Sequence, residues 1–243
     1  MSIMKKEITF NVRERDVNLN DNIRPASVLD YFQDIAGIHA DELGVGFEPM
    51  IKLNLYWVIL YITFERVGKV PSFGEKINVV TWPKVKTRLE SEREYEIRDM
   101  DNNLLIKGIS NWCVINAETR RIEKTDKVVF NGEFYKESNY QEKCKRRLNL
   151  TPNNVIKEYE YKVHMTDLDH NMHLNNARYL DIIYNMMREN GKKDFKKCEI
   201  AYISEARLDD IITVLYFKDN DKDCYLGKVN GETCFEAILE MED

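Results

Sequence analysis

Hydrophobic and polar positions along the chain fall into two series that run in the same order. In the first, residues 8–12 alternate apolar and polar in the way of a half-buried strand. A polar loop follows. Then Val28, Leu29, Phe32, Ile35, Ala36, His39 and Leu43 recur at helical spacing, the stripe of an amphipathic helix. Gly44 stands where such a helix ends. Runs at 55–65, 76–82, 88–98 and 104–116 carry the β-branched and aromatic residues of strands, and the polar loop 99–103 marks a hairpin. In the second series, 159–163 reads as a strand. Leu180, Ile183, Tyr184 and Met187 form the helical stripe, with Gly191 as its stop. Strands are expected at 198–207, 211–217, 224–229 and 233–240. Tight turns fall at 219–221 and at Asn230–Gly231, the latter a type I′ signal.

The two series are one unit written twice. At a constant offset of 151, seven of the 24 positions from Glu7 to Asp30 are identical to those from Glu158 to Asp181. Average residue usage would give roughly one or two. The predicted class is α+β: each copy is a strand, one long helix and about four antiparallel strands, because a single helix buries its stripe against one sheet face. The expected division is 1–130, a polar connection over 131–154, and 155–243.

Composition narrows the function. Aromatic residues at 11% exclude a disordered chain. A net charge of −6 argues against general nucleic-acid binding. No apolar run approaches the ~20 residues of a membrane span, and no export signal is read at the start, so a cytoplasmic protein is expected. Five widely spaced cysteines without a C-x-x-C suit a reducing compartment, each serving as a small buried apolar residue.

The densest polar cluster runs from Asp167 to Asn176, at the entry to the second helix. Asn175 or Asn176 is expected to cap that helix. Asp169, Asn171 and His173 stand at alternate positions, which an extended segment would project to one side. Their equivalents in the first copy are Asn18, Asn20 and Asn22, so the acid and the imidazole belong to the second copy alone. This asymmetry points to chemistry in the second copy; loop hydrogen bonding is the competing reading. Met172 and Arg178 stand where a calcium loop needs Gly and Glu, and neither H-E-x-x-H nor a cysteine partner supports zinc, so no metal is expected. There is no G-x-S-x-G and no P-loop. His39 reads as a core residue. Glu205 interrupts a strand-like run; it is either a surface-facing strand residue or a group that meets the helix entry.

At these residues the chain resembles the acyl-ACP thioesterase family. The family's D-x-N-x-H-x-N-N motif is matched by Asp169, Asn171, His173, Asn175 and Asn176, and its Y-x-x-E segment by Tyr202 and Glu205. The first half agrees at Trp57–Val58, Pro71, Thr81–Trp82, Arg93, Asp99, Ser110, Trp112 and Thr119–Arg120–Arg121. The resemblance covers residues 7 to 240. It implies a tandem double hot-dog, each copy a long helix wrapped by an antiparallel sheet. It further implies hydrolysis of fatty acyl-acyl carrier protein to free fatty acid and carrier, ending fatty acid synthesis, with no cofactor. Asp169, Asn171, His173 and Glu205 are then the catalytic set, the first copy holds the acyl chain near Trp57, and the second helix's N-terminal N–H groups receive the oxyanion. The acyl carrier protein is the partner, expected to dock on the basic run Lys143, Lys145, Arg146 and Arg147 or on Lys84, Lys86 and Arg88; the chain itself is expected to be a monomer or homodimer. An acyl-CoA thioesterase of the same fold and a non-catalytic acyl-thioester binding module are the alternatives. Many relatives carry Cys directly after the Glu; here the residue is Ala206, which favours a carboxylate-centred mechanism.

Overall fold

The structure, a computed structural model, describes residues 3–187 and 194–242. The first copy comprises β1 (Ile3–Met4), β2 (Lys6–Asn11), α1 (Pro25–Glu42), α2 (Phe47–Lys52), β3 (Leu55–Arg66), β4 (Lys76–Pro83), β5 (Glu90–Arg98), β6 (Leu104–Asn116) and the short β7 (Ile122–Glu123). The connection carries β8 (Glu133–Phe134). The second copy comprises β9 (Lys157–Lys162), α3 (Arg178–Met186), β10 (Phe195–Tyr202), β11 (Ile211–Asp219), β12 (Lys222–Val229) and β13 (Glu232–Met241).

The expected stripe on α1 is the buried face: Val28, Leu29, Phe32, Ile35, Ala36 and His39 are all inside. Pro25 opens the helix, where its missing N–H costs nothing. Gly44 follows the C-cap at φ +73°, a left-handed position that suits glycine. The second helix is entered through Asn175, whose Oδ1 accepts the Ala177 N–H at 2.9 Å. Its expected stop at Gly191 lies outside the described residues.

Among the described residues, eleven strands form one sheet. From the middle outward, the first copy runs β3-β6-β5-β4-β2 and the second β10-β13-β12-β11-β9. The order is the same in both, and the matching strands β3 and β10 pair antiparallel with Ile62 opposite Ile200. The sheet is therefore continuous through an approximate two-fold, and one hydrophobic core extends from Val12 to Leu239. This is the tandem double hot-dog arrangement. The helices are tied across the same axis: Arg24 donates to Asp181 at 2.6 Å, and Arg178 donates to Asp30 at 2.5 Å. Asp30 and Asp181 are equivalent positions of the two copies, each receiving an arginine from the other.

The connection lies across the outer face of the sheet, held by glutamates that strands would otherwise expose. Glu94 accepts the Asn139 N–H at 2.8 Å. Glu236 accepts the N–H groups of Leu148 and Asn149 at 2.7 and 3.1 Å. Glu199 accepts from Lys145 Nζ and from the Tyr61 hydroxyl, each at 2.8 Å. Buried carboxylates need such partners. Members of the expected basic runs take part in the same ties. Lys145 is paired with Glu199, Arg146 with Glu90, and Lys84 with Glu94. Lys86 donates to the carbonyls of Thr125 and Val128. These charges tie the connection and neighbouring loops to the sheet, with the Lys145 and Arg146 side chains still about half exposed.

One strand ends earlier than its sequence suggests. β10 stops at Tyr202, not at 207. Beyond it the chain leaves the sheet to meet the helix-entry loop: the Leu174 N–H donates to the Ala206 carbonyl at 2.8 Å, and His173 forms a bridge with Arg207. Glu205 is consequently a loop residue.

Candidate active site

The helix-entry loop is built identically in both copies. In the second, Asp169 Oδ1 accepts the N–H groups of Asn171 and His173 at 2.8 and 3.2 Å. In the first, Asn18 Oδ1 accepts those of Asn20 and Asn22 at 2.8 and 3.1 Å. Met172 sits at φ +63° and its equivalent Asp21 at +60°. Asp169 thus has a scaffold role that an amide oxygen fulfils equally well, and the loop-bonding reading is part of the truth. What differs is the chemistry placed on the scaffold.

His173 Nε2 lies 3.1 Å from Glu205 Oε2. In the first copy Asn22 bridges Ser72 as His173 bridges Arg207, and Val70 stands where the second copy has Glu205. The imidazole and its carboxylate are therefore absent together from the first copy. Glu205 has a further partner that the sequence reading did not single out as a site residue. Arg120, in the turn after β6, donates through Nη2 to the same Oε2 atom, and Arg207 approaches to 3.9 Å. The Arg120 guanidinium also lies over the Tyr56 ring, 5.4 Å from its centroid. Arg120 belongs to the Thr119–Arg121 segment noted in the sequence, but nothing in local spacing links a turn of one copy to a loop of the other.

A cavity of about 480 Å³ runs from this loop into the first copy, between α1 and the sheet. Asp169, Asn171, Asn175 and Asn176 line one end; Trp57 on β3, Trp112 on β6 and Arg93 on β5 line it across successive strands. His173 and Glu205 are not part of the lining. The loop is a turn rather than an extended segment, so Asp169 and Asn171 face the cavity while His173 turns toward Glu205. At the far side Arg93, 7% exposed, is hydrogen-bonded through Nη1 to His39 Nδ1 at 3.1 Å and to Thr81 Oγ1 at 3.2 Å. Burial, and then the neighbouring guanidinium, push the His39 pKa down to about 4, which leaves the ring neutral and able to accept. His39 is a core residue as expected, and also the partner of a cavity-wall arginine.

Two further points bear on mechanism. Ala206 is fully buried, so the position after Glu205 presents no reactive side chain. Most N–H groups of the entry loop are occupied: those of Asn171, Met172, His173, Leu174, Asn175, Ala177 and Arg178 all have acceptors within the protein, whereas those of His170 and Asn176 have none among the described residues. The expected oxyanion donors at the helix entry are largely consumed by the loop's own carbonyls and side chains.

Two family models match the chain: the acyl-ACP thioesterase N-terminal domain over residues 4–132 and the acyl-ACP thioesterase C-terminal domain over 150–233. The chain belongs to the acyl-ACP thioesterase family. Among curated relatives of this family member, the chloroplastic oleoyl-acyl carrier protein thioesterase of Coriandrum sativum is 24% identical over 91% of this chain and 65% of its own length. A chloroplastic palmitoyl-acyl carrier protein thioesterase of Arabidopsis thaliana is 27% identical over 96% of the chain and 60% of its own length. The chain thus spans just under two thirds of the curated relatives it matches. Among solved structures, an acyl-ACP thioesterase from Bacteroides thetaiotaomicron superposes with a TM-score of 0.86 at 21% identity, covering 98% of both chains. The 12:0-ACP thioesterase from Umbellularia californica gives 0.80 at 18% identity, over 98% of this chain and 97% of that one. These structural matches establish the shared fold. No helix among the described residues is long and apolar enough to cross a membrane.

Proposed function

We propose that the protein hydrolyses fatty acyl-acyl carrier protein to free fatty acid and carrier, with the first copy (1–130) holding the acyl chain, the segment 131–154 joining the copies, and the second copy (155–243) supplying the catalytic groups Asp169, Asn171, His173 and Glu205. The observation that carries this reading is the junction at the entry loop. There Asp169 and Asn171 form part of the wall of a largely apolar cavity, and the His173 backbone N–H donates to Asp169 while the His173 imidazole pairs with Glu205.

In this reading the acyl chain enters the cavity and its thioester carbon lies against Asp169. Asp169 takes a proton from water as the water adds to the carbonyl. The tetrahedral intermediate collapses, the carbon–sulfur bond breaks, and the thiolate takes a proton from His173. Glu205 stabilises the imidazolium that donates it, and Arg120 fixes the Glu205 carboxylate. Asp169 releases its proton to solvent, His173 takes one up, and the site is restored. A thioester carbonyl is reactive enough that water, oriented and deprotonated, suffices without a thiol nucleophile. The protein acts in the cytoplasm, as a monomer or homodimer.

Thiol release from matched acyl-carrier and acyl-CoA substrates tests the reading. A kcat/KM at least tenfold higher on the carrier substrate is expected. A preference for CoA would replace it with the acyl-CoA thioesterase reading, and no release from either would leave an acyl-thioester binding module.

A further inference from the structure

Transition-state charge in thioester hydrolysis falls on the carbonyl oxygen, and donors aimed at that oxygen are commonly the largest single contribution to rate. The entry loop cannot supply most of them, since most of its N–H groups already have acceptors inside the protein. The N–H groups of His170 and Asn176 remain open, and a further donor stands elsewhere on the cavity wall.

One polar group there is conspicuous. The Tyr56 hydroxyl, on β3 of the first copy, is shielded from solvent and has no hydrogen-bond partner among the described residues. Leaving a buried hydroxyl unsatisfied is unfavourable, so its presence there calls for a reason. Tyr56 lines the same cavity as Asp169 and Asn171. Its ring is held under the Arg120 guanidinium at 5.4 Å, and Arg120 in turn holds Glu205. The tyrosine is thus fixed, by a two-step chain of contacts, to the group that orients His173.

Resting on the thioesterase reading, we propose that Tyr56 is a further catalytic residue, whose hydroxyl donates a hydrogen bond to the carbonyl oxygen of the bound thioester and to the oxyanion that forms from it. The hydroxyl keeps its proton throughout; it stabilises charge and transfers nothing. Burial first, and the Glu205 charge second, raise the Tyr56 pKa above its ordinary value, which keeps the group a donor over the working range. The site then draws on both copies: the base Asp169, the acid His173 and its supporting Glu205 come from the second copy, the oxyanion donor and its anchoring arginine from the first.

Tyr56→Phe tests this in the whole chain. The ring and its place under Arg120 are retained, and only the unpartnered hydroxyl is removed. The expected result is a fall in kcat of about 100-fold on acyl-carrier substrate, with KM changed by less than about threefold and an unchanged or slightly raised Tm. A second measurement does not depend on turnover. A trifluoromethyl ketone analogue of the thioester, whose hydrate carries the oxyanion, should bind Tyr56→Phe weaker by the same factor as the loss in kcat/KM. A thioether analogue lacking the carbonyl should bind both proteins alike. Turnover within about twofold of the unaltered protein, or equal weakening of ketone and thioether, overturns the role of Tyr56 while leaving the thioesterase reading intact. Absence of hydrolysis by the unaltered protein overturns both.

Discussion

Arg120 and Glu205 form an ion pair across the two copies of the chain, on the same carboxylate oxygen that lies 3.1 Å from His173 Nε2. The second copy's acid is therefore oriented by the first copy's turn. A carboxylate with two cationic or donor partners on one oxygen has little freedom to leave the imidazole.

Removing the arginine should loosen that geometry. Arg120→Met is expected to lower kcat by about tenfold or more, and Arg120→Lys to recover part of it, since the charge returns without the planar fork. In a Glu205→Gln background the same Arg120→Met change should have less than about a twofold further effect, because residues acting through one another are not additive. Full additivity in this double-mutant cycle would separate Arg120 from Glu205.

Asp169 and Asn18 hold equivalent loops with the same pair of backbone hydrogen bonds. Asp169→Asn should therefore leave the loop intact, with Tm within about 2 °C, while hydrolysis falls at least ~100-fold through loss of the base. If Tm dropped sharply in parallel with activity, the carboxylate would have a structural role that the first copy does not reveal.

His39 gives the fold a pH dependence. Its folded-state pKa, about 4, is below the ordinary 6.5. Between these values the unfolded chain binds a proton that the folded chain refuses, so stability rises with pH. The contribution is fully present above about pH 6.5 and is lost as pH falls toward 4, amounting to roughly 3 kcal/mol. Thermal unfolding from pH 7.5 to 4.5 should show a smaller loss of Tm for His39→Gln than for the unaltered protein. Parallel losses would exclude His39 as the source.

The connection between copies makes a contrast within one basic run. Both lysines are exposed, but Lys145 reaches the buried Glu199, which is 3% exposed, and Lys143 makes no such contact among the described residues. Lys145→Glu should destabilise by roughly 1–3 kcal/mol, lowering Tm by several degrees, and Lys143→Glu should stay within about 0.5 kcal/mol. Equal, small effects of both would mean that Lys145 is a surface charge like its neighbour.

Much of this was legible in the chain itself. The stripe on α1, the hairpin turn at Asn230–Gly231 and the duplication were readable because they depend on spacing within one element or on the offset between copies. The absence of acid and imidazole from the first copy likewise needed only the comparison of Asn18 and Asn22 with Asp169 and His173. Arg120, Tyr56 and the glutamates under the connection were not readable. Their partners lie in other strands or the other copy, and sheet register decides which meet. Glu205 fell between these cases: its residue type was visible, but its place outside β10 follows from the Leu174–Ala206 hydrogen bond, a contact between segments far apart in sequence.

The most direct test of the account is steady-state hydrolysis of acyl-acyl carrier protein by Glu205→Gln, an isosteric change that keeps hydrogen-bonding capacity and removes only the charge facing His173. The account predicts a folded protein whose kcat is lower by at least ~100-fold. Turnover close to that of the unaltered protein would show that the Glu205–His173 acid–imidazole pair is not the working centre.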